Sequence, residues 1–305
     1  MSDPTASDPT IYPPARHLLR DLPFEMADTG PDAARAYLRV VPELFATGRL
    51  DLGPLLVVTD VLAGLLVGRV IAPDWMATAQ LALHLTKPPA EPGEPGESAE
   101  LAVPEIVVDA AVRRAGRTTI VVDAALSSSG GAPGSLGDAQ LTFVRLPRRD
   151  GNLDIADTPV RHGERVSMAL ADSRMRAPFA QVIGLADTEG SSSTVELAVT
   201  PFVQNSFGAV NGGVVASLAA TAASRVAAEV LGAEAIALDV TVTYLSQGRV
   251  GPLQARATVL RRTGPTVLCR VEVADPGQLD SGQSDHGGTR VLVVAHVHCA
   301  AATAV

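Results

Sequence analysis

Aromatic side chains are scarce: Phe, Trp and Tyr make up 3% of the 305 residues, with a single tryptophan. Base-stacking platforms are correspondingly few, and the formal charge is −9, so nucleic acid is not expected as a partner. Cysteine is limited to Cys269 and Cys299, both in apolar stretches and spaced like no metal motif. They read as small core residues of a reducing compartment, and no metal is expected. The opening stretch MSDPTASDPTIYPP is polar and proline-rich without an apolar signal core, so no export is expected. The longest apolar run, near 54–68, is short and broken by Asp60 and Gly64, which argues against a membrane span. A soluble, cytoplasmic protein is the expectation. Neither a Gly-x-Ser-x-Gly elbow nor a phosphate-binding P-loop occurs, so α/β-hydrolase and nucleotide-hydrolase readings lack support.

What is present is apolar aliphatic content: 47% of the chain, mostly Ala, Val and Leu, and enough length for two ordinary domains. Two segments are apolar on almost every face and read as buried helices, 54–70 and 214–232, the second with Gly232 as a stop. Each follows a strand-like stretch (33–44 and 194–203) and a glycine-containing turn. Each precedes four strand-like stretches, near 75–88, 103–116, 117–128 and 138–147 in the first half. In the second half they fall near 236–246, 251–264, 265–275 and 289–300. Arg113-Arg114-Ala115-Gly116 matches Arg261-Arg262-Thr263-Gly264 at equivalent hairpins. The chain therefore reads as an internal duplication with a domain-sized period. The expected boundaries are a tail over 1–30, a first domain over 31–150, a linker over 151–176 and a second domain over 177–305. A helix apolar all round is explained by an α+β architecture in which an antiparallel sheet curls around it. Two such sheets joined edge to edge hide the open edges that each alone would present.

The stretch Asn205 to Ala220, with Asn211-Gly212-Gly213 entering the helix, resembles the signature of PaaI-like hotdog acyl-CoA thioesterases. Tyr244-Leu245-Ser246 and the Arg262-Thr263-Gly264 hairpin resemble later parts of the same family pattern. The resemblance implies a double hotdog, each sheet wrapped around its central helix. It also implies hydrolysis of acyl-CoA or related acyl thioesters, with coenzyme A as part of the substrate rather than a cofactor, and association into a homo-oligomer. The second half departs from the pattern: Asn211 stands for the family's His, Ala220 for its catalytic carboxylate, and Ala237 falls near its hydroxyl residue. Aligning Gly53 with Gly213 puts Asp60 at the carboxylate position and Thr78 at the hydroxyl position, while Phe45 falls where the family has Asn. The family builds its site between two units. One composite site is therefore implied, with Asp60 and Thr78 from the first half and Asn205 and Gly212 from the second.

The residues themselves allow these roles without forcing them. Asp60 is the only ionisable group between Pro54 and Gly68, and burying a carboxylate is costly. It is a general base, a nucleophile, or a structural acid bonded to nearby backbone. The Gly212 amide at the helix start can hold a developing oxyanion, or the Gly-Gly pair simply makes a turn, with Gly213 allowing close approach of the acyl group. Asn205 orients water or closes its turn. Asn211 reads as a helix cap. Thr78 bonds the carboxylate or is an ordinary strand residue. Arg114 and Arg262 meet the phosphates of coenzyme A or are solvated hairpin residues. A non-catalytic acyl-thioester or lipid binder is the main alternative. Asp157 and His162 have the spacing used by hotdog enoyl-CoA hydratases but sit in the linker, and His296 with His298 lacks a third zinc ligand.

Overall fold

The computed structural model describes residues 12–86, 88–91, 105–148, 162–188, 191–278 and 290–305. The chain enters through a short helix, α1 (Leu18–Asp21), then β1 (Phe24–Gly30), β2 (Ala33–Arg39) and a small ribbon of β3 (Phe45–Ala46) and β4 (Arg49–Leu50). The long helix α2 (Leu52–Val70) follows, and after it β5 (Trp75–Leu85), β6 (Glu105–Ala115), β7 (Thr119–Ser128) and β8 (Gly137–Leu146). A short strand β9 (Val166–Ser167) leads to α3 (Phe179–Val182), β10 (Leu185–Thr188) and β11 (Ser191–Leu197). The second long helix α4 (Gly212–Leu231) precedes β12 (Ala235–Tyr244), β13 (Leu253–Thr263), β14 (Thr266–Ala274) and β15 (Val291–Ala301).

All but β3 and β4 join one 13-stranded antiparallel sheet, in the order β10-β11-β13-β14-β15-β12-β5-β8-β7-β6-β2-β1-β9. The order is mirrored about the β12–β5 seam, where Val240 faces Leu83 and Val242 faces Leu81. Outward from that seam, β15, β14, β13, β11 and β10 repeat the places of β8, β7, β6, β2 and β1. Irregularities in pairing repeat as well. The ladder slips between Thr78 and Gln80 in β5 and between Ala237 and Asp239 in β12.

The two long helices lie against the sheet, α2 on β2, β5, β6 and β7 and α4 on β11 to β15, and they pack on each other. Strand alternation supplies the opposing surface: in β7, Ile120, Val122, Ala124 and Leu126 point inward, in contact with the core. Leu55, Leu56, Leu62 and Leu66 of α2 are fully buried, each contributing about 2 kcal/mol of apolar burial. The helix ends are local sequence decisions. Asp51 accepts from the Gly53 N–H at 2.9 Å to open α2, and Pro54 sits in the first turn, where no intrahelical N–H is needed. Asn211 accepts from the Val214 N–H at 3.3 Å to open α4, and Gly232, at φ 67°, closes it in the left-handed conformation.

Three sequence expectations change. Residues 24–30, read as part of a tail, form β1 and pair with β2, and Leu18, Leu19 and Leu22 before it are buried. The same helix–strand–strand opening recurs as α3, β10 and β11, so the two halves match from their first elements. Both long helices start two residues earlier than the apolar runs suggest, because their caps lie in the preceding turn. At this length both are long and apolar enough to cross a membrane by composition, including the run read as too short, and both are largely buried inside the protein. Finally, the stretches 33–44 and 194–203 are strand only in their earlier parts: β2 gives way to a 3-10 turn at Pro42–Leu44, and β11 ends at Leu197.

Candidate active site

Asp60 lies in the middle of α2 at the point where the N-terminus of α4 crosses it. The residue is 7% exposed. Three groups surround it. The Thr78 hydroxyl donates to Oδ1 at 2.9 Å, and the Gly213 backbone N–H donates to Oδ2 at 3.2 Å. Gly212 presses against the same oxygen so closely that a Cβ there would stand 2.9 Å from Oδ2. The sheet supports this geometry. Thr78 borders the bulge of β5, in which Ala79 is the extra residue, and a bulge re-aims neighbouring side chains out of the regular pleat.

Burial pushes the Asp60 carboxyl up to about 6, with the Thr78 and Gly213 hydrogen bonds pulling in the opposite direction. The acid is thereby poised to exchange a proton near neutrality, the range a general base needs. Two phenols share its neighbourhood. Tyr244 ends β12 and donates to the Gly212 carbonyl at 2.7 Å. Tyr12 comes from the segment before α1, and its hydroxyl donates to the Gln204 carbonyl at 3.4 Å. Burial, with Asp60 second, raises both phenols. The segment around Tyr12 is tied to the second half by His17 to the Gln204 carbonyl at 2.7 Å and by the Leu18 N–H to the Phe202 carbonyl at 3.0 Å. Burial lowers His17, which keeps it neutral.

Asp60, Thr78, Gly212 and Gly213 thus meet across the seam, and the Gly212 N–H has no hydrogen-bond partner among the described residues. Asn205 does not join them. Its Oδ1 accepts from the Phe207 and Ala209 N–H groups at 3.0 and 3.2 Å, closing the turn that leads into α4. That turn rests on the first half through Phe207, whose ring meets Trp75 edge-on at 4.6 Å between centroids. Gly213 owes its missing side chain to packing rather than to ligand approach: a Cβ would lie 2.5 Å from the Val57 Cα, where α2 crosses. The arginines lie elsewhere. Arg262 donates to the Val230 carbonyl at 2.8 Å, at the far end of α4, which by helix rise is about 25 Å from Gly213. Arg114 is exposed near the end of β6 at its hairpin. His162 is exposed beside β1, His298 faces Asp239 at 3.6 Å, and Asp157 lies outside the described residues.

The mirror-related position is filled. Ala220 stands where Asp60 stands and is buried. Ala237 borders the bulge of β12 as Thr78 borders that of β5. The Gly53 N–H, the counterpart of Gly213, bonds its own cap Asp51. Phe179 of α3, 2% exposed, packs onto Gly53 so tightly that a Cβ there would lie 2.5 Å from its ring. Tyr12, Tyr244 and Phe179 were missed as site-forming residues in the sequence. For Phe179 a signal exists: the short apolar opening 178–185 matches 17–24, and Ala27-Asp28-Thr29 matches Ala186-Asp187-Thr188.

Residues 207–281 match the sequence model described as Thioesterase superfamily. A search of curated protein sequences finds no match. Among solved structures, the chain is similar to an acyl-ACP thioesterase from Bacteroides thetaiotaomicron, at 14% identity and a TM-score of 0.53, covering 88% of this chain and 97% of that one. A Lactobacillus plantarum protein provisionally named oleoyl thioesterase gives 12% identity and a TM-score of 0.55, covering 93% and 98%. The tesB protein of Mycobacterium avium subs paratuberculosis gives 10% identity and a TM-score of 0.50, covering 90% and 95%. At such identities the likeness is one of fold, a mostly antiparallel sheet with few helices that these thioesterases share. The matched residues 207–281 include the Gly212–Gly213 turn and α4.

Proposed function

We propose that the chain is a double hotdog, similar to PaaI-like enzymes, that hydrolyses acyl thioesters, acyl-CoA foremost, at a single composite site around Asp60. The observation that carries this reading is a buried carboxylate, raised to about 6, held between Thr78 of one half and the helix-entry amide of Gly213 in the other. A helix N-terminus offers free N–H groups and positive partial charge, and Gly212 supplies one with no partner among the described residues. In this reading the thioester oxygen rests on the Gly212 N–H. Asp60 takes a proton from water as the water oxygen bonds to the carbonyl carbon. The tetrahedral intermediate then expels the thiolate, which recovers the proton from Asp60, leaving a carboxylic acid and a free thiol. Thr78 keeps the carboxylate oriented. Asn205 acts by shaping the turn that leads into α4.

Coenzyme A enters as part of the substrate, and its carrier role is shared chemically with acyl carrier protein. The test is a hydrolysis screen over acyl-CoA and acyl-carrier-protein thioesters of graded chain length, with binding measured in parallel. Turnover of at least one class supports the reading. Tight binding throughout with no thiol release would replace it with a non-catalytic acyl-thioester binder.

A further inference from the structure

The peptide between Gly212 and Gly213 is gripped from both sides. Its N–H, on Gly213, donates to Asp60 Oδ2 at 3.2 Å, and its carbonyl, on Gly212, accepts from the Tyr244 hydroxyl at 2.7 Å. Tyr244 is the last residue of β12, the strand that pairs with the β5 strand of Thr78. We infer that Tyr244 is a positioning residue for the Asp60 site, fixing the plane of the Gly212–Gly213 peptide and strengthening its N–H bond to the carboxylate. A hydrogen bond to a peptide carbonyl polarises that peptide and makes its N–H a better donor. The inference rests on the reading of Asp60 as the proton-transferring group.

The mirror-related site gives an independent observation. Counting from the matched bulges at Thr78 and Ala237, the counterpart of Tyr244 is Leu85, likewise the last residue of its strand. Leu85 is buried and has no hydroxyl to give. The mirror-related site, which lacks a carboxylate because Ala220 stands there, therefore also lacks the group that would orient the amide opposite it. A purely structural strand-end residue has no reason to follow the carboxylate in this way.

Around Asp60, α2 contributes no other charged side chain between Pro54 and Gly68, β5 contributes the neutral Thr78, and the α4 entry contributes backbone. The titratable groups that reach it are the phenols of Tyr244 and Tyr12, both held neutral by burial. No Arg or His bonds to it among the described residues. A change in Asp60 titration on altering Tyr244 therefore reports the amide rather than a competing charge.

The experiment is a carbon-detected NMR titration of the Asp60 carboxyl in the full chain, wild type against Tyr244→Phe, beside kcat and KM for acyl-CoA hydrolysis across pH. Loss of the phenol hydroxyl weakens the amide bond, so Asp60 is expected to titrate about half a unit to one unit higher. The expected kinetics are a kcat lower by about 10-fold with KM within about twofold. An unchanged Asp60 titration overturns the inference even if activity falls. Incorporating 3-fluorotyrosine at position 244 preserves packing, strengthens donation and is expected to shift Asp60 downward; no shift overturns the inference if the Phe variant does not fold. Full activity in Asp60→Asn would instead defeat the proposed function, while the NMR titration would still decide the role of Tyr244.

Discussion

Asp60 and Gly213 stand 153 positions apart in the chain, and the backbone N–H of one meets the carboxylate of the other at 3.2 Å. This contact joins the two halves at a buried polar point of the helix crossing, where the Ser217 hydroxyl also donates to the Gly53 carbonyl at 3.2 Å. Its consequences for stability can be measured. The Asp60 carboxyl is raised from 3.8 to about 6 in the folded protein. Between these values the folded state binds more protons than the unfolded one, so stability falls as pH rises from about 4 to about 6. Above that window the ionised group costs the fold about 3 kcal/mol. Thermal unfolding of wild type and Asp60→Asn across pH 4–8 is expected to diverge over this range, with the Asn variant losing less as pH rises. Parallel curves would count against the assignment.

The Thr78 hydroxyl donates to the ionised form of Asp60 and holds its titration down. In Thr78→Val the β-branched shape is kept and the donor is lost. The acid limb of kcat/KM, expected near pH 6 in the wild type, should move upward by about one unit. A pH–rate profile superimposable on the wild type would show that Thr78 is merely a strand residue.

The two helix-entry glycines make different demands. At Gly213 an added Cβ meets the backbone of Val57 at 2.5 Å, and at Gly53 it meets the side chain of Phe179 at the same distance. Backbone cannot step aside, whereas a ring at the end of a short helix can shift. Gly213→Ala is expected to destabilise by several kcal/mol, on the order of 3 or more, and Gly53→Ala by clearly less. Denaturant unfolding of the two variants checks the order, and equal losses would contradict the helix-crossing account.

Ala220 is buried in the filled counterpart of the site. Ala220→Ser adds one hydroxyl that can bond back to its own helix. The variant is expected to keep wild-type kcat and its pH profile. A loss of more than about 10-fold would mean that the mirror-related site also takes part in turnover.

Much of this architecture is legible in the sequence because the signals are periodic. Helices apolar all round and strands alternating over eight or more residues leave few arrangements, and the repeated Arg-Arg-x-Gly hairpins set the two halves in register. Asp60 stands out because nothing else ionisable shares its run. Asn205 was harder: an asparagine before a glycine turn fits ligand binding and turn closure equally, and only coordinates reveal that its oxygen bonds Phe207 and Ala209. The arginine pair illustrates a similar limit, since a hairpin position says nothing about which end of the helix it faces. Phe179 acts through a contact across the seam with Gly53, and Tyr244 through a bond to Gly212 within its own half; the repeat marks the segment of Phe179, but spacing along the chain shows neither contact. Residues 17–30 read as part of a tail because the polar stretch before them masks a short apolar helix and strand.

The central claim is that proton transfer by Asp60 drives thioester hydrolysis. Its most direct test is kcat for Asp60→Asn on the best acyl thioester substrate, with thermal stability and substrate binding measured on the same preparation. The expected result is a fall of about 1000-fold or more in kcat, with folding and binding retained. Turnover within a few-fold of wild type in a folded, substrate-binding Asn variant would contradict it.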